Sequence, residues 1–309
     1  MKKMEAAITC GAKANGFPEF KCIQLEDREI LSGFAHQYGL TSCEYSFANL
    51  YSWKEVHQRS WSLYKDHLLI LDISNDDLFF PAGREINPDY LLYLSKELQS
   101  RGMSGNVTLV PHAYIQRHPD LETYYRIEEQ RDAADYIYAV EKLADLKGRK
   151  LQKKKNLIAQ FKRTHPDYRV APITADIKTA CWKLAQDLLA RNMQISRSIR
   201  EEHIALDRAL AEFADIGFAG LALLVADKPV AFSVFSPLNR DMYDIHFEKA
   251  DPAYKGAAQV INHATAVHLS PLCRFLNREQ DLGIAGLRQA KRSYDPTCIE
   301  VPFKLTPLA

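Results

Sequence analysis

Residues 242–269 constrain this chain more than any other stretch. The run Met-Tyr-Asp-Ile-His-Phe-Glu-Lys over 242–249 alternates with the period of two that marks a strand, where successive side chains face opposite sides. On that spacing Asp244, His246 and Glu248 share one face, so three proton-handling groups sit together. A short link then leads through Tyr254-Lys255-Gly256-Ala257-Ala258-Gln259 into a helix over 256–269. Small residues at a helix start let a ligand approach free backbone N–H groups at the positive end of the helix dipole. The arrangement reads as a site for an anion, held by Lys255, Gly256, Ala257, Ala258 and Gln259, beside Glu248 as general base and His246 sharing the proton work. The same residues also describe a solvated strand face and a helix packed closely on a sheet.

Around that segment the pattern alternates strands and helices. Helices are predicted over 174–191 and 200–213, strands over 218–226 and 230–237 with a hairpin at Asp227-Lys228-Pro229, then a strand over 273–277, a helix over 283–293 and a strand over 297–305. The first half predicts strands at 21–24, 61–73, 78–81, 107–110 and 124–128. It also predicts helices over 28–38, 47–57 and 88–101, the last opened by Pro88 and closed by Gly102. Tyr45, Phe47, Tyr51 and Trp53, at helical spacing, are expected in the core. Between the halves one long helix is expected over 140–164, ending at His165-Pro166. The fold class is α+β. A chain of 309 residues is long enough for two cores, which places domains at 18–165 and 166–309 and treats residues 1–17 as a leader or tag.

Lys147 to Lys155 carries six cations and no acid. If the helix over 140–164 were continuous, the apolar stripe of Leu143 and Leu146 would be continued by cations before resuming at Leu157 and Phe161. Arg149, Lys150, Lys153, Lys154 and Lys155 are therefore expected to meet a polyanion, such as tRNA or an anionic lipid headgroup. The alternative is a bridging helix with its charges solvated. The net charge of +1 supplies no global field toward nucleic acid or membrane, so any such attraction is local. No apolar run approaches the ~20 residues of a membrane span, and the chain reads as cytoplasmic. The six cysteines lack close pairing, so buried thiols are expected and no metal site.

The strand, glycine-containing turn and helix over 242–269 resemble the N-acetyltransferase (GNAT) superfamily. Together with Ser46-Phe47-Ala48-Asn49-Leu50-Tyr51-Ser52-Trp53, Gly148-Arg149-Lys150-Leu151-Gln152-Lys153-Lys154-Lys155-Asn156 and Leu276-Asn277-Arg278-Glu279-Gln280-Asp281-Leu282-Gly283-Ile284, running on to Lys291 and Tyr294, they resemble the C-terminal domain family of phosphatidylglycerol lysyltransferases. That resemblance implies two GNAT-like domains in tandem, the second carrying the site; the membrane-embedded portion that lipid-modifying members of the family carry is not expected in this chain. It implies transfer of an acyl group from acyl-CoA or aminoacyl-tRNA to an amine or hydroxyl. Asn277 and Arg278 would line a splay between strands that receives the donor, and Tyr294 would protonate the leaving group. The turn has fewer glycines than a full coenzyme A loop, a departure that the Fem-type aminoacyltransferases of the same fold share. The rival expectation is a non-enzymatic member binding an anionic metabolite or RNA.

Overall fold

The computed structural model describes residues 17–191 and 196–308. The expected leader over 1–17 lies outside that range except for Phe17, whose ring packs against Phe20 and Tyr64. The chain divides into two compact units, one of residues 1–134 with 301–309 and the other of residues 135–300. The division expected at 165/166 thus falls at 134/135 instead, because strand Asp135–Ala139 and the helices after it belong to the second unit, and the C-terminal strand returns to the first.

The first unit holds a seven-stranded mixed sheet in the order Lys21–Cys22, Arg59–Tyr64, His67–Asp72, Asp77–Phe79, Asn106–Val110, Phe303–Pro307, Tyr125–Glu129. The single strand pattern expected over 61–73 is a hairpin turned by Lys65 and Asp66, both with positive φ, as a two-residue turn between right-twisted strands requires. Helix Pro88–Gln99 has Asn87 as its N-cap, the side chain accepting from Tyr90 N–H, and buries Leu91, Leu94 and Leu98. Tyr45, Phe47 and Tyr51 are buried, as their spacing predicts.

The second unit holds another seven-stranded mixed sheet, ordered Cys298–Glu300, Asp135–Ala139, Phe275–Asn277, Met242–Ala250, Lys228–Pro237, Ala219–Val225, Arg169–Pro172. Helix Ala257–Leu269 packs on it through Val260, Ile261, Ala266 and Leu269, joined in one core by Tyr138, Leu143, Leu146, Leu151 and Phe161. The expected helix over 140–164 is broken. Helix Val140–Asp145 ends on Leu146 with φ +51, Gly148 follows with φ +100, a 3-10 turn covers Arg149–Leu151, and helix Gln152–Thr164 begins afresh. With the chain redirected at Leu146, Leu151 reaches the core in place of the positions a continuous helix would use. The cations therefore interrupt no apolar stripe: they lie on a turn and on a new helix. The strand expected over 297–305 is two, Cys298–Glu300 and Phe303–Pro307, one in each sheet. Between them Pro302 has no N–H to donate to a ladder.

Candidate functional site

Strand Met242–Ala250 is not regular. Ser233 pairs with Glu248 and Val234 with Phe247, but Phe235 then pairs with Ile245, which leaves His246 as the extra residue of a β-bulge. Residues opposite one another across two strands share a face. Glu248 and Ile245 therefore stand on the face of Ser233 and Phe235, whereas Asp244 and Phe247 stand on the face of Ser236 and Val234. The bulge separates the three groups that simple alternation puts together.

Glu248 faces helix Ala257–Leu269. Its Oε2 accepts from Asn262 Nδ2 at 3.2 Å and its Oε1 from Arg278 Nη2 at 3.1 Å. The Arg278 guanidinium lies 4.8 Å from the centre of the Tyr294 ring and 5.6 Å from that of Tyr138. Burial works against its charge, but Glu248, Tyr138 and Tyr294 outweigh burial and hold its pKa above the ordinary value. Tyr294 is 5% exposed. Burial pushes the Tyr294 hydroxyl up to about 12, against the opposing pull of Arg278, so it keeps its proton at neutral pH. Lys154 sits 4.1 Å above the Tyr294 ring and donates to Ser293 Oγ at 2.7 Å. Burial lowers its pKa, with repulsion from Arg278 and Lys153 acting the same way. Around Glu248, Arg278 Nη1, Asn262 Oδ1 and Ser233 Oγ are buried with no aligned hydrogen-bond partner among the described residues. A buried polar group left in this way costs stability, and such groups recur where a ligand or water completes the network.

Beside this cluster the sheet opens. Strand Phe275–Asn277 runs parallel to Met242–Ala250 for three residues, with Met242 opposite Phe275, Tyr243 opposite Leu276 and Asp244 opposite Asn277. Met242–Ala250 then continues for six residues, and among the described residues no strand pairs with it on that side. Asn277 closes the last rung and is fully buried, its Oδ1 accepting from Glu279 N–H at 2.7 Å. A strand edge of this kind offers backbone donors and acceptors to an extended ligand.

At the turn, Gly256 is left-handed with φ +96, and a Cβ placed there would meet the Leu157 carbonyl oxygen at 2.6 Å and Phe161 Cβ at 3.0 Å. The glycine is thus needed for close packing against helix Gln152–Thr164. The N–H groups of Ala257, Gln259 and Val260 already bond to the Tyr254 and Gly256 carbonyls, so few donors remain for an anion. Lys255 is exposed, whereas Ala258 and Gln259 are half-buried.

The basic stretch splits in two. Lys150 pairs with Asp295 at 2.7 Å, and with Lys142 it holds the Asp295 carboxyl below its usual pKa. Lys154 belongs to the Tyr294 cluster. Arg149, Lys153 and Lys155 are exposed.

His246 is buried on the other face, its Nε2 2.8 Å from Ser236 Oγ, its Nδ1 3.2 Å from Glu279 Oε1 and 3.6 Å from Asp244 Oδ2. The edge of its ring meets Phe218. Asp244, His246 and Glu279 bring ligand atoms within 4.8 Å of one another, a spacing that can hold a cation. Both imidazole nitrogens already have partners, so an ion would have to displace the Glu279 contact.

Reading the sequence alone gives no site role to Asn262 or Tyr138, and names Lys291 only within the segment that carries the resemblance. Asn262 is a buried amide beside the apolar Val260, Ile261, Ala266 and Leu269 of its helix, a signal the sequence carries. Tyr138 lies on strand Asp135–Ala139, whose short Asp-Tyr-Ile-Tyr-Ala run carries the aromatic and β-branched residues of a strand. Lys291 donates to the carbonyls of Arg278 and Gln280, and the Lys291 carbonyl accepts from Tyr138 Oη at 2.8 Å, so it fixes the loop that presents Arg278.

No helix among the described residues is long and apolar enough to cross a membrane. The chain resembles a conserved protein of unknown function from Bacteroides thetaiotaomicron, with 32% identity, a TM-score of 0.88, and coverage of 94% of this chain and 99% of that one. It shares its fold with the C-terminal domain of a putative lysylphosphatidylglycerol synthetase from Agrobacterium fabrum, at 11% identity and a TM-score of 0.62 over 90% of this chain and 92% of that one. The same holds for L-PGS from Bacillus licheniformis, at 13% identity and a TM-score of 0.60 over 91% of each chain. The family model described as phosphatidylglycerol lysyltransferase, C-terminal, matches residues 36–301. With a match over most of its length and a mixed α+β architecture of the same kind, the chain belongs to the phosphatidylglycerol lysyltransferase C-terminal family.

Proposed function

We propose that the protein is an aminoacyl or acyl transferase built from two GNAT-like units, whose second unit carries the reaction. The observation that carries this reading is the convergence of Glu248, Arg278 and Tyr294 beside the open edge of strand Met242–Ala250. An extended donor lies along that edge. The acceptor amine or hydroxyl attacks the donor carbonyl and gives its proton to Glu248, which retains lone pairs beyond those engaged by Arg278 and Asn262. The leaving oxygen or sulfur takes a proton from Tyr294, which Glu248 restores, so that one proton passes overall from acceptor to leaving group. His246 has no part at this centre because the bulge turns it to the opposite face.

Of the two donor classes, aminoacyl-tRNA fits better. The helix start at Gly256 is covered by Leu157 and Phe161 and its N–H groups are largely used, which leaves little room for a coenzyme A pyrophosphate there. The exposed Arg149, Lys153 and Lys155 supply charge for a nucleic-acid backbone instead. The test is thermal stabilisation by aminoacyl-tRNA and by a panel of acyl-CoAs, measured side by side, since a ligand that binds only the native state raises the melting temperature. Stabilisation by aminoacyl-tRNA alone supports the reading; stabilisation by an acyl-CoA alone reverses the choice of donor, and by neither removes the reading.

A further inference from the structure

A second concavity lies on the sheet face opposite Glu248. Lys249 pairs with Phe232 across the sheet and so points away from Glu248, toward helices Ala175–Ala190 and Arg197–Ala211. There Ala185, Leu188, Leu189, Ile199 and Leu206 form an aliphatic wall, and Glu202, His203 and Lys249 form a polar end, around a cavity of about 270 Å³. That volume is just under the roughly 300–1,000 Å³ of pockets for drug-sized ligands, so the occupant is small.

The polar end holds one anion and one cation. Lys249 Nζ lies 2.7 Å from Glu202 Oε1, with the two side chains 26% and 36% exposed. His203, the third polar lining residue, has its Nε2 3.6 Å from Asp207 Oδ1, and Asp207 accepts from Trp182 Nε1 at 2.9 Å. An ion pair with this much access to water is worth little, so parting it to admit a ligand is cheap. A purely anionic ligand would meet Glu202 and a purely cationic one Lys249. A ligand with both charges on one carbon, and an aliphatic tail beside them, satisfies both ends and the wall at once.

We propose that this pocket binds a free aliphatic α-amino acid as its zwitterion, with the ammonium on Glu202, the carboxylate on Lys249 and the side chain against Leu188, Leu189 and Leu206. The proposal stands apart from the transfer reading, because binding is measured without any donor and on the other face of the sheet.

Isothermal titration of the full chain with L-leucine tests it, alongside leucinamide, which lacks the carboxylate, and 4-methylpentanoate, which lacks the amine. L-leucine is expected to give one saturable site, with both truncated analogues at least tenfold weaker and L-aspartate excluded by the apolar wall. Glu202→Gln and Lys249→Met, both at partly exposed positions, should each weaken L-leucine by a similar factor. No saturable heat from L-leucine up to ~10 mM, tenfold above a millimolar dissociation constant, would overturn the proposal. So would equal binding of the three ligands, which would leave only the aliphatic wall engaged. The analogue series uses the wild-type chain, so its outcome does not depend on either variant folding.

Discussion

Replacing Gly256 with alanine separates a packing role from an anion-binding one. The added Cβ would sit 2.6 Å from the Leu157 carbonyl oxygen and 3.0 Å from Phe161 Cβ, neither of which is the free end of a flexible side chain. Holding an L-residue at φ +96 costs ~1–2 kcal/mol. Forcing an extra carbon into a filled site costs a further ~1–3 kcal/mol. The sum, about 2–5 kcal/mol, should lower the melting temperature of the second unit by roughly 4–20 °C, at 2–4 °C per kcal/mol for a unit of its size. Differential scanning calorimetry reads this without any ligand. A Gly256→Ala protein melting within a degree of wild type would refute the reasoning, because the turn would then be open and its glycine free to cradle an anion.

Other outcomes follow from the same geometry. Arg278→Met should destabilise by about 3 kcal/mol, at the low end for a broken buried pair because Glu248 is 18% exposed and partly rehydrates, and Arg278→Met with Glu248→Leu should recover most of that loss in urea unfolding. The raised pKa of Tyr294 means the folded protein keeps a proton that the unfolded chain sheds near pH 10. Stability should therefore fall as pH rises from about 10 to about 12, with Tyr45 and Tyr138 shifted the same way, and Tyr294→Phe should make that decline shallower by up to one proton. Binding of total tRNA should weaken with salt, and Arg149→Ala, Lys153→Ala and Lys155→Ala together should lower the slope by about one unit for each phosphate no longer neutralised; a slope unchanged from wild type would remove these residues from the interface.

Most of the elements were legible because their patterns are local. Helix Arg28–Tyr38 and strand Met242–Ala250 lie within a residue of their expected bounds, set by periodicity and by the left-handed Gly39 that caps the helix. Features that depend on a second segment were not. The bulge at His246 is a register fact, fixed by how Phe235 and Val234 meet the strand, and it moves Glu248 to the opposite face from Asp244 without altering the alternating sequence. The break after helix Val140–Asp145 turns on Leu146 in the left-handed region, a conformation that leucine propensity does not signal and that the core imposes by burying Leu143, Leu146 and Leu151 together. Glu248, Arg278 and Tyr294, far apart in the sequence, lie beside one another because strand, loop and last helix meet on one face of the sheet. Lys154 lies over the Tyr294 ring, a contact that the basic run 147–155 does not signal because it depends on where the redirected helix meets the last helix.

The central claim is that Glu248 takes the acceptor's proton, and discharge of aminoacyl-tRNA tests it most directly. Total tRNA charged with a mixture of labelled amino acids is incubated with wild type and with Glu248→Gln, which keeps the shape and hydrogen-bonding reach of the side chain but removes the base. Loss of label from tRNA into an acid-stable product should occur with wild type and be slower in Glu248→Gln by about 10²-fold or more, with tRNA affinity nearly unchanged. Equal discharge by the two proteins would contradict the account and return Glu248 to a purely structural pairing with Arg278.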